Sequence, residues 1–304
     1  QRALRAGARD LLPPDASVDE LAEAIKRAEA RSSSHPAVDL TRQSPTGGGV
    51  GRVLAIVSPK GGCGKTMLAT NLAHGLQTEG RGSVVIVDFD LQFGDVASSL
   101  GLRPEYTVSN AIHASGDVTT TKSFLTAHPS GLFALCAPLN PAEADSFEPD
   151  QLSQLLFTLQ AEFDWVVVDT SAGISEPNLV AVEAATDVMV VATTDLAAIQ
   201  AMRKAVTVFD QIELTGHNRW YVLNRANARV GLDQDDIEKS MGLAIDATIP
   251  SSRAVPIAMN QGFAVIEDDS RSPASKAVEQ LLAKVAPSHD PSRSGRGWLQ
   301  RVRA

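Results

Sequence analysis

The chain has 304 residues, 43% of them apolar and 21% charged, with a formal net charge of −9. These values exclude a disordered or fibrous chain, and the acidic balance counts against a broad basic surface for non-specific DNA binding, so DNA is not an expected partner. Two cysteines, Cys63 and Cys136, are too few for a disulfide scaffold or a four-cysteine metal site. No apolar run reaches the length of a membrane span, so a cytoplasmic setting is expected.

Four regions follow in chain order. Gly7–Pro14 reads as a strand closed by a proline turn. Ser17, with Glu20 three residues on, signals a helix start, and Leu21, Ala22, Ala24, Ile25 and Ala28 follow at helical spacing. One strand and one helix cannot bury a core. Residues 1–30 therefore read as the end of a longer unit, and the start at Gln1 rather than Met fits a fragment. Residues 31–49, rich in Ser, Pro and Gly, read as a flexible linker. Residues 50–288 alternate apolar runs with helical patterns. Val53–Val57, Val84–Val87, Leu132–Cys136, Trp165–Val168, Val188–Val191 and Trp220–Leu223 are short, continuous and mostly β-branched. Such strands are buried on both faces, which predicts an α/β fold: a mostly parallel twisted sheet with helices on both faces. Residues 289–304 form a basic tail with Arg293, Arg296, Trp298, Leu299 and Arg301.

The strongest chemical signal follows the first strand: Ser58-Pro59-Lys60-Gly61-Gly62-Cys63-Gly64-Lys65-Thr66, with a helical pattern at once behind it. A standard phosphate loop has Gly five residues before Gly64, where this chain has Pro59. The chemistry is still legible. Glycines let backbone N–H groups converge on phosphate oxygens, and the helix N-terminus adds positive charge. Lys65 can reach the β and γ phosphates of a nucleotide, and the Thr66 hydroxyl can bind Mg2+.

Carboxylates stand at two strand ends. Asp88 and Asp90, at i and i+2 after Val84–Val87, point to one side of an extended segment. At the carboxyl end of a parallel strand that side is the ligand crevice, where Mg2+ and an attacking water need oxygen partners; the pair could instead cap the following turn. Asp95 reads as a helix cap. Asp169 ends the Trp165–Val168 strand and precedes the small-residue loop Thr170-Ser171-Ala172-Gly173. Asn224, ending another strand, has the donor and acceptor needed to read an adenine edge, or sits in a turn. His74, on the helix after the loop, reads as structural.

Lys-Gly-Gly-x-Gly-Lys-Thr at residues 60–66 resembles the deviant phosphate loop of the MinD/ParA ATPases. That resemblance covers residues 50–288 and implies an ATP-dependent homodimer in which Lys60 reaches the partner's nucleotide while Lys65 serves its own. Lys60, Gly61, Gly62, Cys63, Gly64, Lys65, Thr66 and Met67 then form the nucleotide-binding stretch, with Asn224, Arg225 and Pro250 beside the base. Thr66, Asp88 and Asp169 take the metal shell, Asp90 the attacking water, and Gly173 frees a loop that senses the γ-phosphate. Lys60, Lys65, Asp90 and Asp169 become the catalytic set. The family usually has Pro where Ser171 stands. An iron–sulfur role is rejected, because Cys63 lies inside the loop.

Within the family, Asp88-Phe89-Asp90-Leu91-Gln92-Phe93-Gly94-Asp95 and the stretch from Ile249 to Gly262 are similar to pilus-assembly ATPases of the TadZ/CpaE type, and residues 7–28 look like the end of a receiver domain. This implies a slow Mg2+-dependent switch ATPase that places a Tad/Flp pilus machine at a cell pole. Pilus or polar scaffold proteins would be its partners, and the tail could give weak contact with the inner face of the membrane. Three alternatives stay open: a septum-site regulator, a DNA-partition ATPase, and an ATP-binding scaffold without turnover.

Overall fold

The computed structural model describes residues 50–114, 117–211, 218–226 and 232–287. The expected receiver-like fragment at 1–30, the linker at 31–49 and the tail at 289–304 lie outside the described residues. The strands are β1 (Arg52–Ser58), β2 (Val84–Phe89), β3 (Thr126–Ala127), β4 (Phe133–Leu135), β5 (Trp165–Ala172), β6 (Asp187–Thr193), β7 (Asn218–Asn224) and β8 (Ala247–Ile249). The helices are α1 (Lys65–Thr78), α2 (Val96–Ser99), α3 (Val108–His113), α4 (Val118–Ser123), α5 (Pro149–Gln160), α6 (Glu176–Ala184), α7 (Leu196–Gln211), α8 (Gln234–Met241), α9 (Ala254–Gln261), α10 (Val265–Asp268) and α11 (Pro273–Val285).

The strands form one eight-stranded sheet in the order β3-β4-β2-β5-β1-β6-β7-β8. Every pairing is parallel except β3 with β4. All six apolar runs became strands. The two short edge strands, β3 and β8, carry no apolar run of their own and take their conformation from the neighbour they pair with.

Alternation along β1 divides the core. Val53, Ala55 and Val57 join the cluster beneath α3, α5, α6, α7 and α8. Leu54 and Ile56 join the opposite cluster with α1, α2 and α11. Both faces are thus covered, as continuous apolar strands require. The N-terminal end of the sheet is tied by Asp187. It accepts from Arg52 Nε at 3.1 Å and Nη2 at 2.6 Å, from Trp220 Nε1 at 3.2 Å and from Asn218 Nδ2 at 3.2 Å. The Arg52 guanidinium lies 4.2 Å above the Trp165 ring. The carboxyl ends of β1, β2, β5, β6 and β7 consequently share the other edge, and every sequence motif opens there.

Candidate nucleotide site

The loop from Pro59 to Gly64 joins β1 to α1. Gly64 is the N-cap of α1 with φ 93°, in the left-handed region that favours glycine. A Cβ there would also stand 2.1 Å from Asn224 Nδ2, so both conformation and space demand glycine. The first turn of α1 has no acidic residue and no side-chain cap. Its N–H groups and dipole are left for an anion.

Asp169 is fully buried, and both its carboxylate oxygens lack a hydrogen-bond partner. Burial pushes its carboxyl up to about 7, with Asp90 adding to the rise and Thr66 and Lys65 opposing it. An unpartnered buried carboxylate is costly unless it has a ligand to serve. Asp88 is its register neighbour across β2 and β5. Burial, and then the charge of Asp169, raise the Asp88 carboxyl well above the usual carboxylate range. Asp88 Oδ1 accepts the Asp90 N–H and Oδ2 the Val96 N–H, each at 3.1 Å. Gly94 is needed for this, since a Cβ would lie 2.3 Å from Asp88 Oδ2. Asp88 therefore anchors the loop that carries Asp90, with one lone pair left on each oxygen. Asp90 is half-buried and accepts the Phe93 N–H at 3.3 Å. Asp95 occupies the N-cap position of α2, but its side chain makes no cap bond.

Lys65 is buried near Asp169. Cys63 and Met67 are also buried, in the core under α1, so only their main chain faces the loop. Asn224 Nδ2 donates to the Cys63 carbonyl at 2.8 Å, and its Oδ1 accepts the Arg225 N–H at 2.9 Å. Asn224 thus pins the loop from beneath and keeps one N–H and one lone pair. Arg225 is exposed and has φ 56°, the one non-glycine residue with positive φ among the described residues. Pro250, half-buried, follows β8. His74 is buried against His128, their rings edge to face at 5.8 Å.

Two residues that sequence reasoning missed complete the site. Asn178, on α6, donates to the carbonyls of Ser171 at 3.1 Å and Gly173 at 2.9 Å, clamping the loop after β5. The Gly173 N–H meets the Ser58 carbonyl at 3.0 Å, which joins that loop to the end of β1. Asp195, after β6, receives Lys60 Nζ at 2.9 Å. A helical Asn and an aspartate at a helix start have no distinguishing sequence signal. A cavity of about 440 Å³ adjoins Asp88, with the exposed Phe93 and Leu139 in its wall. No helix among the described residues is long and apolar enough to cross a membrane.

A family model described as "AAA domain" matches residues 51–220. The septum site-determining protein MinD of Thermotoga maritima is 27% identical over 244 residues, 78% of this chain and 88% of the relative. A ParA family ATPase from Chlorobium tepidum superposes with a TM-score of 0.72 at 26% identity, covering 76% of this chain and 98% of its own. MinD from Pyrococcus horikoshii, solved with Mg-ADP, gives 0.70 at 19% identity, covering 78% and 96%. With its sheet order, its glycine-capped α1 and the buried aspartate opposite, the chain belongs to the AAA domain family and, within it, to the MinD/ParA ATPases.

Proposed function

We propose that this protein is a slow Mg2+-dependent ATPase that dimerises when it holds ATP. The observation that carries the reading is Asp169: a fully buried carboxylate with two unpartnered oxygens, facing Lys65 and Thr66 at the mouth of a phosphate loop. The donor set suits Mg2+, which binds through one or two carboxylates plus substrate phosphate oxygens and water. Thr66, Asp169 and the free lone pairs of Asp88 would hold it. When bound, Mg2+ neutralises charge on the β and γ phosphates.

The chain's own groups supply the rest. The N–H groups of residues 61–67 and the α1 dipole cradle the phosphates. Lys65 offsets negative charge developing in the transition state, and Lys60 of a second copy adds to it. Asp90 orients the attacking water. Asn178 holds the loop carrying Gly173 where the γ-phosphate would lie, and the remaining donor and acceptor of Asn224, with Arg225 and Pro250, read the base.

Light scattering with ATP and Mg2+ tests the dimer, beside Lys60→Ala. The wild type should dimerise with ATP and the variant should remain monomeric. A mass independent of nucleotide in both refutes the reading. Phosphate release should fall at least about tenfold in Asp90→Ala while the dimer persists.

For cargo, we propose a Tad/Flp pilus machine placed at a cell pole. The support is the sequence of the segment Asp88–Asp95, which is similar to that of pilus-assembly ATPases of the TadZ/CpaE type. The likeness to MinD of Thermotoga maritima along 78% of this chain supports a septum-site role as strongly. Deleting the gene should remove pili and leave division normal under the first reading; minicells with intact pili would establish the second.

A further inference from the structure

We propose that Asp195 is a positioning residue for Lys60, holding the first lysine of the phosphate loop on its own subunit until nucleotide in a second copy draws it away. The inference rests on the dimerisation reading above and deepens it.

The two ends come from adjacent strands: Lys60 follows β1, Asp195 follows β6, and these strands pair through Val57 and Val190. Lys60 Nζ stands 2.9 Å from Asp195 Oδ1. The acceptor is fixed before the lysine arrives. The Thr193 hydroxyl donates to Asp195 Oδ2 at 2.6 Å, and the Ala198 N–H donates to Oδ1 at 3.0 Å. The same Thr193 hydroxyl and Lys60 hold the carboxyl down to about 2, so it is ionised throughout the working range. The lysine's main chain is also fixed: Ser58 Oγ donates to the Lys60 carbonyl at 3.0 Å and accepts the Lys60 N–H at 3.3 Å. Closing the pair therefore orders little beyond the lysine's own methylenes.

Opening the pair disturbs little. The two side chains are 46% and 40% exposed, so no core surface is uncovered. The ammonium carries one charge on a flexible stem, so a phosphate on another copy competes with Asp195 for it. A phosphate chain bearing several charges at a helix N-terminus attracts it more strongly than one carboxylate does. Without nucleotide, the lysine stays docked and the dimer face lacks its reaching cation. With nucleotide, both protomers release their lysines, and the two opening factors multiply in the dimer constant.

Asp195→Asn removes the charge and keeps a side chain that caps α7 equally well. An exposed pair of this kind contributes about 1.4- to 5-fold per protomer. The variant should thus dimerise, with ATP and Mg2+, at about 2- to 30-fold lower protein concentration in sedimentation velocity. The advantage over wild type should shrink at about 0.5 M salt, as screening opens the wild-type pair. Asp195→Glu, which retains the charge, should return towards wild type. A residue needed only to cap α7 would weaken the dimer when changed, not tighten it. Asp195→Ser, another capping residue, is judged by the same criterion should the amide variant fold poorly.

Unchanged or weaker dimerisation in a folded Asp195→Asn overturns the inference. If Lys60→Ala abolishes the dimer while Asp195→Asn matches wild type, the inference fails and the dimerisation reading stands. If wild type shows no ATP-dependent dimer, both fail.

Discussion

Gly64→Ala tests how the phosphate loop is held. Gly64 has φ 93°, and an L-residue in that conformation costs about 1–2 kcal/mol. Its new methyl would stand 2.1 Å from Asn224 Nδ2, so the amide must withdraw from the Cys63 carbonyl that it now meets at 2.8 Å. That leaves a buried donor and acceptor unpaired, at about 1–3 kcal/mol. The total is about 2–5 kcal/mol, a large part of a typical folding free energy. Asn224→Ala alone loses that buried bond, about 1–3 kcal/mol, together with the one its Oδ1 accepts from the Arg225 N–H. In the double variant the bond is already gone and the methyl has room. The combined loss should therefore fall short of the sum by about 1–3 kcal/mol. Urea unfolding of the four ligand-free proteins measures this cycle, and a fluorescent ATP analogue should bind weakly to all three variants. A Gly64→Ala loss below about 0.5 kcal/mol, or strict additivity, would refute the reasoning.

Asp169→Asn removes a buried charge whose two oxygens accept no hydrogen bond and which Lys65 offsets only in part; the ligand-free protein should gain about 1–3 kcal/mol at pH 7.5 by urea unfolding, while the melting-temperature increase given to wild type by Mg-ATP is lost. A less stable ligand-free variant would contradict the account of that carboxylate. Burial holds the His74 imidazole below its ordinary 6.5, with Glu267 opposing and His128 adding to the effect. The unfolded chain takes that proton more readily, so the contribution of His74 is full above pH 6.5 and is lost as the pH falls below it. Asp169, raised towards about 7, has the opposite sign: its contribution is present in acid and is lost as the pH rises from about 4 to 7. Comparing wild type with His74→Gln isolates the imidazole, and unfolding free energies should diverge between pH 7.5 and 5 with the wild type falling faster; parallel curves would sink the idea. Arg52→Lys gives up the two-pronged contact with Asp187 and the stack on Trp165. It should cost about 1–2 kcal/mol with nucleotide affinity unchanged, because this contact lies at the opposite end of the sheet. A tenfold loss of ATP affinity would show that the two ends are coupled.

Much of this protein is set locally and could be read from the chain. Val53–Val57 and Trp165–Val168 are continuous apolar runs because both faces of their strands are covered. Gly64-Lys65-Thr66 is a loop-to-helix signal because a phosphate site needs free N–H groups at that junction. Asp88 and Asp169 stood out because a carboxylate at the end of a buried apolar run is costly unless it has a ligand or a turn to serve. The order of the strands, by contrast, is a property of pairing. Only the assembled sheet seats β5 between β1 and β2 and brings Asp88 level with Asp169. The short strands β3 and β8 exist only through their neighbours. Asn224 beneath Cys63, Asn178 on the loop of Gly173, and Asp195 on Lys60 join residues 161, 5 to 7 and 135 positions apart. A hydrogen bond between side chains or to a distant carbonyl leaves no periodicity in the sequence. Chemistry that depends on one residue's type was therefore written in the chain, and the contacts that hold that chemistry in place were decided by how the strands came together.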